Sequence, residues 1–306
     1  MRIALPLLLA AAPLAAAAAP RVVADIAPLH SLTARVAEGA TAPALLLPAE
    51  ISPHDRALRP SQARMLQDAD LVIWTGPALS PWLGEALENL APEAAHLALG
   101  GGEASAQDAR DDHDAAEGDD DAHAEGAEIH PWLDPREARA WLPRIAEALA
   151  AADPVNAALY RENAAEAEAE LAALEAELDD RLAPVRSRPF ASTHDAWGAL
   201  AERFGLASAG ALADVDAQRP GARRVEALRQ RLRAGDVACL FLEPQEPDAL
   251  ARTAVEGTRV RLAALDPLGV GLAPGPDLYP ELMRGIARAL RDCLDAGRGA
   301  TGVDRK

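Results

Sequence analysis

The chain has 306 residues, 50% of them hydrophobic, which is enough apolar material for two globular domains and excludes a fully disordered protein. The formal net charge is −18 at pH 7, because 48 acidic residues outnumber 30 basic ones. Binding of nucleic acid requires clustered cations that neutralise phosphates, so this balance argues against such a partner. An acidic surface is compatible with the attraction of cations.

Residues 1–19 have the pattern of a cleaved secretory signal peptide. Arg2 precedes an apolar, alanine-rich run that ends in small residues near Ala19. A membrane anchor is the alternative, but Pro6 and Pro13 interrupt the run, and a spanning helix needs about 20 apolar residues. We therefore expect a soluble, exported mature protein.

Export bears on the interpretation of Cys239 and Cys293. An even pair of cysteines in an oxidising compartment favours a disulfide. Two buried free thiols are the alternative. A metal–thiolate site is disfavoured because neither cysteine has a neighbour at CxxC spacing.

Strand-like and helix-like segments alternate from Arg21 onwards. RVV and DLVIW predict strands, whereas LHSLTARVAEG, RPSQARMLQDA and PWLGEALENLA predict helices, with Ser61 at a position suited to an N-cap. Strands separated by helices of about ten residues predict βαβ units and a mostly parallel sheet.

Residues 100–128 have a different composition, rich in Asp, Glu, Gly and Ala, and they lack a hydrophobic period. This pattern predicts a solvated, disordered loop, within which His113 and His123 lie. The acidic groups either raise the local concentration of cations or belong to a solvated loop without such a role.

An uninterrupted run of strong helix formers precedes Pro184 and predicts a helix of roughly 40 Å. A second section with the same alternation follows, with strands in PFASTH, VACLFLEP and RVRLAALDP. We predict an α/β fold in which two lobes with parallel-sheet βαβ units, residues 20–152 and 184–306, are joined by one long α-helix, residues 153–183.

Three histidines lie at junctions between loops and regular elements, where ligands bind in open α/β sheets. They are His54, His130 and His194. Three imidazoles and one carboxylate form a tetrahedral set suited to Zn²⁺. Asp266 and Glu243, each just after a predicted strand, are the candidate carboxylates.

Four other polar residues are weaker candidates. Asp55 and Asp195 adjoin histidines and could orient the imidazole rings. His30 lies near a strand end, although its helical surroundings suit packing equally well, and His96 is expected to be an ordinary surface residue.

These motifs resemble the periplasmic zinc-binding proteins of ABC uptake transporters, the ZnuA-like group of metal-receptor solute-binding proteins. The resemblance rests on SPHDRALRPSQARMLQDADLVIWTGP, IHPWLDP, FASTHDAWGALAERFGL and FLEPQ…GTRVRLAALDPLG, in that order. With the long helix and the acidic insert, it covers essentially the whole mature chain.

The resemblance implies three imidazole ligands, His54, His130 and His194, with Asp266 as the aspartate offered by the C-terminal lobe. Relatives that carry manganese have glutamate at the third position, so His194 favours zinc. Some relatives place an acid before the first histidine, where this chain has Pro53, so the fourth ligand is Asp266 or water. The cysteine pair resembles the disulfide of some zinc receptors.

The expected function is therefore capture of Zn²⁺ in the periplasm by a monomer and its delivery to the membrane permease of an ABC transporter. One alternative is a manganese or iron receptor on the same fold. Another is an exported zinc-dependent hydrolase, with Glu243 as a base. Against the hydrolase, the sequence has neither an HExxH nor a G-x-S-x-G motif.

Overall fold

A computed structural model describes residues 19–55, 58–100, 129–213 and 222–296. The predicted signal peptide lies outside these residues except for Ala19, and the predicted acidic loop lies outside them except for Gly100.

The N-terminal lobe contains a parallel four-stranded sheet of order β2-β1-β3-β4. Its strands are β1 (Val22–Ala24), β2 (Ala44–Leu45), β3 (Leu71–Trp74) and β4 (Ala95–Ala98). Its connecting helices are α1 (Ala27–Val36), α2 (Pro60–Gln67) and α3 (Pro81–Leu90). Strands β1 and β3 are buried along their whole length, as expected for apolar strands in the middle of a parallel sheet.

Helix α2 begins two residues earlier than predicted. Its N-cap is Arg59, not Ser61, because Pro60 occupies the first turn, where a missing N–H costs nothing. The side chain of Gln62 reaches back and accepts a hydrogen bond from the backbone N–H of Arg59 at 2.7 Å.

The C-terminal lobe repeats this arrangement with a parallel sheet of order β6-β5-β7-β8. Its strands are β5 (Phe190–Ser192), β6 (Ser208–Ala211), β7 (Cys239–Leu242) and β8 (Arg261–Ala264). The fold class predicted from the sequence, two parallel-sheet α/β lobes with a long helix, is confirmed.

In the described part of the chain, six further helices follow the N-terminal lobe's sheet. They are α4 (Pro135–Ala152), α5 (Ala157–Leu182), α6 (Gly198–Phe204), α7 (Ala222–Ala234), α8 (Ala249–Val255) and α9 (Leu278–Asp295). None of the helices in the described ranges is long and apolar enough to cross a bilayer.

Helix α5 is the long helix, with 26 residues, and it packs against α1, α4 and α9. Its buried stripe includes Leu171, Leu174, Leu178 and Leu182, spaced three or four apart as the sequence predicts. One continuous cluster of buried apolar side chains contains residues from both lobes. The predicted disulfide between Cys239 and Cys293 is present and joins β7 to α9.

Candidate metal centre

The three predicted histidines converge between the lobes. His54 lies on the loop between β2 and α2, His130 precedes a short 3₁₀ turn (Pro131–Leu133) before α4, and His194 follows β5 by two residues. One nitrogen from each ring lies within 4.8 Å of the other two. Nε2 of His54 and Nε2 of His130 lie 3.3 Å apart.

The loop that carries His54 is anchored to the start of α3. The carbonyl oxygen of Pro53 accepts two hydrogen bonds of 2.9 Å, one from the Ser80 hydroxyl and one from the Trp82 indole. Because this carbonyl immediately precedes His54, the two donors limit the positions that the imidazole can adopt.

His130 is 2% exposed and packs edge-on against Trp132, with ring centroids 5.3 Å apart. Burial lowers the pKa of His130 well below its ordinary value, and the neighbouring His194 lowers it further. The ring is therefore held as neutral imidazole, the form that binds a metal ion. The Trp132 indole donates to the carbonyl oxygen of Pro267 at 2.8 Å, which connects this segment to the C-terminal lobe.

The register of the C-terminal sheet places His194 beside Glu243. Ser192 pairs with Phe241, and His194 and Glu243 each lie two residues further along their chains. Nδ1 of His194 is 3.1 and 3.2 Å from the two carboxylate oxygens of Glu243, and both residues are buried. When Nδ1–H donates to a carboxylate, Nε2 retains its lone pair for a metal ion.

Asp266, expected as the fourth ligand, lies outside the group formed by the three histidines. Its Oδ1 accepts hydrogen bonds from the backbone N–H groups of Leu268 and Gly269 at 3.0 and 3.1 Å. Its Oδ2 accepts from the N–H of Val270, and Gln245 donates to Oδ1 at 3.1 Å. The carboxylate thus organises the turn that follows β8.

The remaining candidate residues lie outside the group of three histidines. His30 hydrogen bonds to the carbonyl of Pro43 at 3.0 Å and His96, exposed on β4, to that of Ala91 at 2.9 Å. The pKa of Glu246 is raised by burial and by the charges of Glu243 and Asp55, which places these three carboxyl groups near one another. The side chain of Asp195 lines a separate cavity between β6 and α7.

Sequence reasoning did not identify Trp132, Gln245 and Ser80 as parts of the site. Gln245, together with Pro267 and Leu268, lines the cavity around the histidines. The motif IHPWLDP contains Trp132, so its place beside His130 could have been inferred. The contacts of Ser80 and Gln245 depend on tertiary packing and leave no signal in the local sequence.

Two parallel-sheet lobes with histidines from both lobes meeting between them define a class, the two-lobed metal-binding receptors. A solved structure with this fold is the periplasmic zinc-binding protein TroA from Treponema pallidum, which matches 90% of this chain and 99% of its own with a TM-score of 0.77 at 20% identity.

The family described as zinc-uptake complex component A, periplasmic (ZnuA), matches residues 22–293. The high-affinity zinc uptake system protein ZnuA of Paracoccus denitrificans is 41% identical over 92% of this chain and 94% of its own length. Its counterpart in Brucella abortus is 35% identical over 89% and 91%. The chain belongs to the ZnuA family.

Proposed function

We propose that this protein captures Zn²⁺ in the periplasm through His54, His130 and His194 and delivers it to the membrane permease of an ABC transporter. The observation that carries the proposal is the convergence of three imidazole nitrogens within 4.8 Å in a member of the ZnuA family. The names of the relatives, zinc uptake system proteins, support transport as the purpose of the site.

The donor set favours zinc over manganese as the cargo. Imidazole nitrogen suits Zn²⁺, whereas Mn²⁺ prefers carboxylate, carbonyl and water oxygen. Both candidate carboxylates are engaged elsewhere, Glu243 with His194 and Asp266 with its turn. Water therefore completes the zinc coordination, and X-ray absorption of the zinc-loaded protein should show three imidazoles and one light atom that is not a carboxylate.

An exported hydrolase is the competing function, because zinc on three histidines with a bound water can activate that water. Family membership favours the receptor. Delivery in the periplasm requires export, so residues 1–19 serve as the signal peptide. Mass spectrometry of the exported protein, with a mature N-terminus other than Pro20, would contradict this boundary.

The test is metal analysis and competitive titration of the mature protein with a zinc chelator. We expect one zinc per chain, with manganese unable to displace it. His54→Ala and His194→Ala should each weaken zinc binding by at least about 100-fold, because each removes one of three protein ligands.

His96→Ala is the matched control, since His96 is an exposed histidine on β4, away from the site. It should bind zinc like the wild type. Equal zinc affinity of the wild type and His194→Ala would overturn the proposed site. Zinc-dependent hydrolysis of ester or peptide substrates would favour the hydrolase.

A further inference from the structure

The segment that bears His54 has a middle portion that contacts the C-terminal lobe. Its beginning is fixed to β1, where the N–H of Leu46 donates to the carbonyl oxygen of Ala24 at 2.8 Å, and its end is fixed by the bonds to the carbonyl oxygen of Pro53. Between these points lies Ala49, whose carbonyl oxygen accepts a hydrogen bond of 2.8 Å from the side chain of Gln245. This bond joins residues 196 positions apart.

The orientation of the Gln245 amide is determined by its partners. Nε2 donates to the Ala49 carbonyl and, at 3.1 Å, to Oδ1 of Asp266. Both partners are acceptors, so a flipped amide would place oxygen against oxygen at two points. Gln245 thus forms a clasp, meaning its two hydrogen bonds to Ala49 and Asp266, that neither Glu nor an apolar side chain could form.

Asp266, at the other end of the clasp, is connected to His130 through a series of contacts. Asp266 organises the turn that contains Pro267, and the Pro267 carbonyl accepts from the indole of Trp132. The Trp132 ring packs against His130. One turn of the C-terminal lobe therefore contacts both ligand-bearing segments of the N-terminal lobe, through Gln245 on one side and Trp132 on the other.

We propose that Gln245 is a positioning residue that holds the His54 segment against the C-terminal lobe and thereby sets the lifetime of bound zinc. This inference rests on the proposed function. Zinc leaves when its ligands separate, and the His54 segment is a loop, whereas His194 is fixed by strand pairing. Loosening the clasp therefore accelerates dissociation and leaves the encounter with zinc unchanged.

Gln245→Met tests this, because methionine has a similar length and cannot donate a hydrogen bond. Stopped-flow mixing of zinc-loaded protein with excess chelator should show dissociation about tenfold faster than in the wild type, as expected for loss of two partly buried hydrogen bonds. The association rate should be unchanged, and the melting temperature of the metal-free protein should fall no more than in a variant that loses a different contact between the lobes. Hydrogen exchange should accelerate at residues 49–55.

Two controls separate the clasp from general effects. Gln230→Met removes an exposed glutamine on α7 that donates to Glu226. Ser31→Ala removes a different contact between the lobes, the bond from Ser31 to the Pro276 carbonyl at 3.0 Å. Both should release zinc at the wild-type rate.

Three results would overturn the proposal. They are wild-type dissociation from Gln245→Met, equally fast release from Ser31→Ala, and a slower association accompanied by a lower melting temperature. A wild-type protein that held no zinc would refute the proposed function, and the clasp with it. A zinc-binding wild type with an unaltered Gln245→Met would refute the clasp alone.

Discussion

The two lobes use the carboxyl-terminal ends of their sheet strands for different purposes. Strands β1 and β5 occupy equivalent places, as do β3 and β7, and the pairing of Ala24 with Ile73 matches that of Ser192 with Phe241. By this register, Thr75 in the N-terminal lobe is the counterpart of Glu243 in the C-terminal lobe.

In the N-terminal lobe, the buried carboxylate at the end of the strands accepts hydrogen bonds from backbone N–H groups. Asp25, directly after β1, accepts hydrogen bonds of 2.7 Å from the N–H groups of Ile26 and Thr75. In the C-terminal lobe, the buried carboxylate of Glu243 faces the imidazole of His194. Asp25 therefore stabilises the backbone of the N-terminal lobe, whereas Glu243 in the C-terminal lobe contacts His194, a proposed zinc ligand.

The difference concerns how each histidine is held. His194 is placed by strand register and by a carboxylate, while His54 depends on a loop and its side-chain anchors. We infer that the C-terminal lobe holds His194 in a fixed position, whereas the loop of the N-terminal lobe that carries His54 can move. The predictions below test this contrast, in order of decreasing effect.

The largest expected effect concerns the disulfide, which fixes β7, the strand that leads to Glu243, to α9. Its N-terminal counterpart, β3, has no such link, since the chain contains two cysteines. Replacing both with serine should lower the free energy of unfolding by about 4 kcal/mol in the chain-entropy model, given a separation of 54 residues. Denaturant unfolding of the metal-free protein measures this, and unchanged stability would mean that β7 is held by packing alone.

The next effect concerns Asp25, whose pKa is raised by burial from 3.8 to about 6. The folded state retains the proton longer than the unfolded state, so this stabilising contribution is complete below pH 3.8 and is lost as the pH rises to about 6. The loss corresponds to about 3 kcal/mol.

Asp25→Asn does not titrate, so its stability relative to the wild type should shift by that amount across this pH range. Unfolding of chelator-treated proteins at several pH values measures the difference. A constant difference between the two proteins would show that the pKa of Asp25 is the same in the folded and unfolded states. Zinc affinity at neutral pH should change little, in contrast to changes at Glu243.

Most of the fold could be predicted from the sequence because the central strands are short runs of apolar residues. β3 and β7 are the apolar runs LVIW and CLFL. The edge strands β4 (AHLA) and β6 (SAGA) were not predicted. They contain no β-branched residue, and they are strands because β3 and β5 offer them partners.

The candidate site was predicted in part for a related reason. Histidines that follow strands can be located from local patterns, because parallel strands end at one edge. Asp266 also follows a strand, and its side chain accepts hydrogen bonds from the backbone of the turn that LDPLGV begins, a local pattern typical of aspartate in turns. The contact between Gln245 and Ala49 requires the lobes to dock, so no local pattern contains it.

The smallest effect concerns Glu243. Replacing it with alanine removes the acceptor at Nδ1 of His194, which should weaken zinc binding about 10- to 100-fold, and Glu243→Gln should weaken it less because an acceptor remains. Glu246→Gln is the matched control. It also removes one negative charge near His194, but it leaves the contact between Glu243 and Nδ1 of His194 in place. Competitive titration should rank Glu243→Ala below Glu243→Gln, with Glu246→Gln closest to the wild type. If Glu246→Gln weakened binding as much as Glu243→Gln, the carboxylate would act through its charge alone, and the fixed half of the site would owe its geometry to strand register.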